Sequence, residues 1–337
     1  MIFEAVKPPW EIERRILVRV DAESDPSYGS PPHERPIEEL LKACIVNVDK
    51  PRGPTSHEVA FTVRELLGVG QAGHGGTLDP AVSGVLPILV DEATKCAGAI
   101  MSGGKEYICL MRLHEDISDE DLERALRFFT GEIYQVPPVR SSVSRRIRAR
   151  TIYRIELIER DGRNVLMKVA CSGGTYIRRL CRDIGLYLRC GAHMQELRRT
   201  RAGPFVEEKA HTLLDLYSAL KDYRESGDET QLRVILRPVE EAVEYMPKVF
   251  ILDTAVDAIC HGANLAVVGI AKVENTVERG APVAVMTLKG ELVAIGRSLM
   301  SAMEMLEKDH GIAVDTERVI MKRGIYPAIW KGGKRPS

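Results

Sequence analysis

No run of roughly 18 apolar residues occurs in the 337-residue chain, which excludes a helical membrane span. The opening residues, MIFEAVKPPWEIERR, carry acids and prolines where a secretory signal needs an unbroken apolar stretch, so we expect a soluble, cytoplasmic protein. No CxxC pair is present. The seven cysteines (Cys44, Cys96, Cys109, Cys171, Cys181, Cys190 and Cys260) are scattered and odd in number, which argues for buried reduced thiols over a disulfide framework. No GK[ST] closes a glycine run, so a P-loop is excluded. GVGQAG at 68–73 formally matches GxGxxG, but a helix precedes it and Pro80 obstructs the helix that a dinucleotide site needs next. Finally, a charge excess is missing: 47 basic residues face 48 acidic ones, for a net charge of −1. That sum would disfavour a nucleic-acid partner if the charges were evenly spread.

They are not. RSSVSRRIRARTIYR at 140–154 holds Arg140, Arg145, Arg146, Arg148, Arg150 and Arg154 with no acid among them. A second group comprises Arg178, Arg179, Arg182, Arg189, Arg198, Arg199 and Arg201, while acids concentrate at 11–39, 114–123 and 222–229. Such segregation predicts a positive face on a nearly neutral molecule. Arginine in a serine-rich loop favours phosphate over mere solvation, because its planar fork grips oxyanions at two points. Six such contacts to single-stranded RNA would give a log K against log salt slope of about −4.

The length predicts two compact units, and the 45% apolar content is enough to give each a core. DAESDPSYGSPPHERP at 21–36 reads as a linker or extended arm, and Ile12, Ile16, Val18 and Val20 before it need a partner elsewhere. A first unit is expected from about residue 39. It opens with the buried strand of CIVNVDK, a Pro/Gly turn, and Ser56 as N-cap of a helix ending at 65–68. SGVLPILV and KEYICLMRL read as strands, SDEDLERALRFF as a helix capped by Ser118 and closed by Gly131, and 149–172 as a hairpin turning at Asp161 and Gly162. GTYIRRLCRDIGLYL has helical spacing of Ile177, Leu180, Cys181, Ile184 and Leu188. The mixture without strict alternation indicates an α+β fold with a mixed or antiparallel sheet. RPVEEAVEYMP reads as a helix ended by its proline. Beyond it, valine-rich strands and a hairpin at Lys289 and Gly290 predict a small β-rich domain over about 246–330. The basic tail KGGKRPS at 331–337 is not expected to pack.

One loop carries the chemistry. GHGGTLDP at 73–80 crowds glycines around His74 and sets Asp79 between a leucine and a proline, where an aspartate is ordinarily a turn residue. Together with KEY at 105–107, QVPPVRSSVSRR at 135–146, SGGTYIRRL at 172–180 and ELRRTRAGPF at 196–205, it resembles the TruB-type pseudouridine synthases. Within them the sequence is most similar to the archaeal and eukaryotic dyskerin branch, the catalytic subunits of box H/ACA ribonucleoproteins. PKVFILDTAVDAICHGANLAVVGI at 247–270 resembles a PUA domain, a small RNA-binding pseudobarrel. The resemblance spans roughly residues 39–330.

The resemblance implies a division of the chain into an N-terminal extension at 1–38 that packs on the PUA domain, a catalytic domain at 39–245 and the PUA domain at 246–330. It makes Asp79 the catalytic aspartate of an isomerisation that detaches uracil at N1, rotates it and rejoins it through C5. No cofactor and no metal are called for. A base-shaped pocket would push the Asp79 carboxyl up by removing water, so Arg178 is expected to keep it charged and aimed. By the same resemblance Tyr107 stacks on the extruded base, a contact of about 1–3 kcal/mol that offsets much of the unstacking cost. Leu197 and His74 line the substrate pocket. Arg140, Arg145, Arg146 and Arg148 fall in a thumb loop facing RNA, and His261 and Gly262 in the PUA segment also face RNA. The implied partners are a guide RNA, its rRNA target, with tRNA as a further candidate, and three small ribonucleoprotein proteins; no membrane is involved. The alternatives are a stand-alone enzyme of the tRNA T-loop and an RNA-binding scaffold without catalysis. Attack at C6, attack at C1′ and elimination through C2′ are all compatible with these residues.

Overall fold

The computed structural model describes residues 6–137 and 146–328; Arg140, Arg145 and the tail at 331–337 lie outside them. The chain forms two compact units, neither continuous in sequence. The first comprises the residues up to Ile12, Val46–Val90 and Ala97–Ile235, and the second Glu13–Ile45, Asp91–Cys96 and the residues from Leu236 onward.

The strand β1 (Cys44–Lys50), which belongs to the first unit from Val46 onward, leads through a Pro/Gly turn into α1 (Ser56–Leu67). This helix buries Val59, Ala60, Val63 and Leu67, the stripe that helical periodicity aligns on one face. Its N-cap is Thr55, whose side chain accepts from the Glu58 amide while Glu58 accepts from the Thr55 amide. Ser56 was expected there, but it sits one position inside the helix with its hydroxyl free for another task. Gly68 closes the helix in the left-handed conformation (φ 67°).

Then come β2 (Ala72–His74), β3 (Ser83–Val90), α2 (Ala97–Ser102), β4 (Lys105–Leu113), α3 (Asp119–Phe128), β5 (Gly131–Gln135), β6 (Arg148–Asp161), β7 (Asn164–Cys171), α4 (Ile177–Tyr187) and β8 (Ala192–Ala202). The strand order is β1-β3-β8-β4-β7-β6-β5, with β2 paired to β3. The β3–β8 pair is parallel, and the β2–β3, β4–β7, β4–β8, β5–β6 and β6–β7 pairs are antiparallel, so the sheet is mixed. β3 is buried along nearly its whole length, as its unbroken apolar run requires. α4 buries Ile177, Leu180, Cys181 and Ile184. Each large apolar side chain among them contributes about 2 kcal/mol. α3 ends at Phe128 rather than at Gly131, because Gly131 already opens β5.

The second unit is a β-rich sheet in the order Ile16–Val18, Ile270–Glu274, Lys248–Ile251, Pro282–Thr287, Leu292–Ser298, Ile312–Val319 and Leu265–Ala266. Its core includes Val249, Ile251, Val273, Val283, Val285 and Val293, against which Leu17 and Tyr28 of the arm pack. The arm strand pairs antiparallel with Ile270–Glu274 and turns Leu17 inward, while Ile16 and Val18 are exposed. A buried carboxylate fastens the arm further: Glu291 accepts from the Ser30 amide and from the Tyr326 hydroxyl. Residues 239–243, expected to be helical, form a short 3-10 turn.

Candidate active site

Asp79 lies in the loop between β2 and β3, and Arg178 lies in the first turn of α4. They are 99 residues apart in sequence, yet the Arg178 guanidinium donates to an Asp79 carboxylate oxygen. Both side chains remain open to solvent, at 63% for Arg178 and 54% for Asp79. The water-poor pocket expected around Asp79 is therefore not supplied by the loop itself; desolvation has to arrive with whatever covers it.

The backbone on either side of Asp79 is held firmly. Ser56, at the start of α1, grips Leu78 from both ends: its Oγ accepts from the Leu78 amide at 2.8 Å and donates to the Leu78 carbonyl at 3.0 Å. The Gly53 amide donates to the Pro80 carbonyl at 2.8 Å. Lys50 Nζ donates to the carbonyls of Pro51 (2.8 Å) and Val82 (2.9 Å), with Pro80 at 3.4 Å. Arg199 donates to the Gly76 carbonyl at 2.9 Å and to Val85 at 2.8 Å. Two glycines are obligatory here by contact. A Cβ on Gly75 would lie 2.5 Å from Ile100, and one on Gly84 (φ 104°) would lie 2.2 Å from the Arg199 carbonyl oxygen.

Beneath the loop, Tyr107 on β4 faces Arg199 on β8, and Cys109 faces Leu197. Residues two apart on a regular strand share a face, so Tyr107, Cys109, Arg199 and Leu197 point the same way. α4 lies against that face, with Cys181 Sγ 3.5 Å from Cys109 Sγ. Tyr107 is buried, which raises its phenol, while Arg199, within hydrogen-bonding reach, opposes the rise. Burial lowers the Arg199 guanidinium in turn, and Tyr107 opposes that shift. Lys105, at the head of the same strand, donates to the carbonyls of Ile100 (2.8 Å) and Gly103 (2.7 Å) at the end of α2. Burial, with the Arg199 charge adding to it, brings the Lys105 amine down to about 7. Lys50 is lowered by the same two causes and supported by the charge of Asp79. None of these three buried cations forms an ion pair with a carboxylate among the described residues; backbone carbonyls receive their hydrogen bonds.

The β4–β8 ladder shifts register between Glu106 and Tyr107. Glu106 faces Arg201 and Tyr107 faces Arg199, so Thr200 is the extra residue of a bulge. Arg199 and Arg201 consequently point to opposite faces. Arg199 is buried, whereas Arg201 lies over the ring of Trp10, 4.9 Å from its centroid.

His74 sits on β2, edge-on to His57 with ring centroids 4.9 Å apart. Burial, followed by the nearby His57 and Arg199, lowers its imidazole and favours the neutral ring. Its Nδ1 is buried without a hydrogen-bond partner among the described residues. Leu197 is half-buried. In the second unit, His261 caps the helix Asp253–Cys260 and its ring contacts the Asp257 carbonyl at 2.8 Å, followed by Gly262 with φ 88°. Arg146 is exposed, and Arg148 opens β6 opposite Gln135.

The second arginine group does not form the uniform positive face expected of it. Arg178 is paired with Asp79, Arg179 with Asp183 at 3.0 Å, and Arg198 with Asp49 at 3.0 Å and with Glu207. Arg199 is buried, and Arg182 and Arg189 are left exposed. Asp79 and Asp49, distant in sequence, neutralise Arg178 and Arg198, and the nearby Asp183 and Glu207 add to this. Among the described residues, no group of three or more His, Cys, Asp or Glu is arranged to hold a metal ion.

Comparison with known proteins gives the chain its family. Residues 64–177 match the N-terminal domain of the TruB family pseudouridylate synthases, and 178–244 match the C-terminal domain of tRNA pseudouridylate synthase B. A PUA domain matches 247–320 and a DKCLD domain matches 8–60. A probable tRNA pseudouridine synthase B of Methanopyrus kandleri is 53% identical over 97% of each chain. Its counterpart in Archaeoglobus fulgidus is 52% identical over 94% of this chain and 97% of its own. Among solved structures, a chain of a Cbf5-Nop10-Gar1 complex superposes with a TM-score of 0.91 at 50% identity, covering 95% of this chain and 98% of its own. A chain of an H/ACA ribonucleoprotein bound to a substrate RNA containing 2′-deoxyuridine gives 0.90 at 48%, covering 96% and 100%. Sharing half its residues with such relatives over nearly its full length, and carrying the DKCLD and PUA segments as well, this chain belongs to the dyskerin branch of the TruB family of pseudouridine synthases and is an isomerase.

Proposed function

We propose that this chain converts uridine to pseudouridine in rRNA as the catalytic subunit of a box H/ACA ribonucleoprotein, with a guide RNA choosing the uridine. The observation that carries the reading is the Asp79–Arg178 pair, joined across 99 residues on a loop fixed at Leu78, Pro80 and Val82. The solved relatives in a Cbf5-Nop10-Gar1 complex and in a substrate-bound H/ACA ribonucleoprotein support guided action with small protein partners, which we put at three.

In the reaction the N1–C1′ bond breaks, a C5–C1′ bond forms, C5 loses a proton and N1 gains one. Electrons balance within the nucleoside. Asp79 acts as the reacting group, held by the adjoining guanidinium of Arg178. The extruded base supplies the cover that the exposed pair lacks, and it strengthens the pair by displacing water. Tyr107 bounds the site below the loop, tied to Arg199, and His74 and Leu197 complete the pocket. Arg140, Arg145, Arg146 and Arg148 hold phosphates, and His261 and Gly262 serve the RNA surface of the PUA segment. We read 1–38 as an N-terminal extension that belongs with the PUA domain from Glu13 onward, its residues up to Ile12 belonging to the first unit, 39–245 as catalytic and 246–330 as PUA. No helix among the described residues is long and apolar enough to cross a membrane, and we place the protein in the cytoplasm.

Asp79→Asn tests the assignment. Guided pseudouridine formation should be lost while target-RNA affinity stays within about threefold, since the exposed side chain contributes little to the fold. Substantial turnover by this variant would remove Asp79 from the chemistry. The names of the archaeal relatives favour a second reading, a stand-alone tRNA enzyme. Complete conversion of a T-loop uridine by the purified chain, without guide RNA or other proteins, would establish it.

A further inference from the structure

Ser56 is buried, at 1% exposure, and neither hydrogen bond of its hydroxyl reaches Asp79 directly. Both of its hydrogen bonds go to one residue, the one immediately before Asp79, satisfying the Leu78 amide and carbonyl together. Leu78 is itself buried, so neither backbone group has water as an alternative. Helix capping does not need this hydroxyl, because Thr55 and Glu58 already perform it. The segment from Lys50 to Ser56 thus grips the loop at Leu78, Pro80 and Val82, and Ser56 is the only side chain in it that fixes the peptide on the Leu78 side among the described residues.

We propose that Ser56 is a positioning residue for the reaction: by clamping both backbone groups of Leu78 it sets the direction in which Asp79 leaves the loop toward Arg178 and the base. This rests on Asp79 being the reacting carboxylate. Asp79 is exposed and has Arg178 as its one side-chain hydrogen-bond partner among the described residues, so its aim is set from the backbone. Freeing Leu78 lets the carboxylate swing by an ångström or more, a displacement that costs catalysis up to about 100-fold without touching the RNA surface.

The test compares Ser56→Ala, Ser56→Thr and Val59→Ala in the chain assembled with guide RNA and its partner proteins. Single-turnover rates and target-RNA Kd are read well below each variant's Tm. Val59 is buried on the same helix but touches no part of the loop's hydrogen bonding, so its truncation reproduces helix destabilisation alone. We expect Ser56→Ala to slow the single-turnover step about 10- to 100-fold with Kd unchanged, Ser56→Thr to recover most of the rate because it keeps the hydroxyl, and Val59→Ala to leave the rate intact. Ser56→Ala no slower than Val59→Ala, or a folded Ser56→Thr as slow as Ser56→Ala, would overturn the proposal. If Ser56→Ala does not fold, Ser56→Cys, nearly the same size with a much weaker hydrogen-bonding group, takes its place in the comparison. Asp79→Asn measured alongside separates the two levels: activity there refutes the carboxylate assignment, whereas an inactive Asp79→Asn beside a fully active Ser56→Ala refutes only the role of Ser56.

Discussion

Raising the pH from 7 to 9 should stabilise the first unit through one side chain, Lys105. Its ordinary value of 10.5 holds in the unfolded chain, whereas burial brings it to about 7 in the fold. Between those values the unfolded chain binds a proton that the folded chain has released, so stability rises with pH across the window and falls as pH returns toward 7. Below 7 both states are protonated and the cost of enclosing the charge is constant. Combining the two proton equilibria gives a gain of about 2 kcal/mol from pH 7 to pH 9. The rise levels off above 9 because an unfolded Cys171 ionises near 9.0 while burial pushes the folded thiol up to about 12, which offsets the gain.

The assay is urea unfolding of the full chain and of Lys105→Met, read by fluorescence of Trp10, with Trp330→Phe in both proteins. Trp10 stacks on Arg201 and against Gly104, next to Lys105, and so reports on this unit. The wild-type chain should gain about 2 kcal/mol on the variant between pH 7 and 9. Parallel pH profiles for the two proteins would show that the buried amine is charged in the fold throughout, and the reasoning would fail.

Two further outcomes are expected at the site. Arg178→Ala should lower single-turnover pseudouridine formation by about 100-fold or more, while Tm changes little, because a pair this exposed contributes about 0–1 kcal/mol to stability; a larger loss of RNA affinity than of rate would make Arg178 a phosphate contact. Gly84→Ala should destabilise the first unit by about 3 kcal/mol or more, since its Cβ would lie 2.2 Å from the Arg199 carbonyl at a positive φ; urea unfolding within 1 kcal/mol of wild type, about the cost of an ordinary surface change, would contradict that contact.

Much of the scaffold was legible because periodicity is local. The alternation of KEYICLMRL gave β4 its full extent, and the spacing of Ile177, Leu180, Cys181 and Ile184 gave α4 its buried face. Asp79 and Arg178 could be named from motifs, although nothing local joins them. What escaped the sequence is the support beneath them. Lys50, Lys105 and Arg199 are buried cations, and the general rule that such side chains face water points the wrong way for all three. Ser56 was misplaced because Thr55 and Ser56 are both competent caps and only geometry decides which one serves. Arg198 read as free positive charge because Asp49, one of its two partners, lies 149 residues away in the chain.

Thr200, the supernumerary residue at the first of two register shifts in the β4–β8 ladder, has a consequence for how this enzyme tolerates sequence change. It puts the strand out of phase between the two arginines, and that dislocation sends Arg199 inward to the tyrosine while its near neighbour turns out to the indole. A replacement at Thr200 preserves the offset and leaves both arginines where they belong. Removing the residue, or doubling it, exchanges inside for outside along the adjoining strand, so the hazard at this place is one of counting rather than of chemistry.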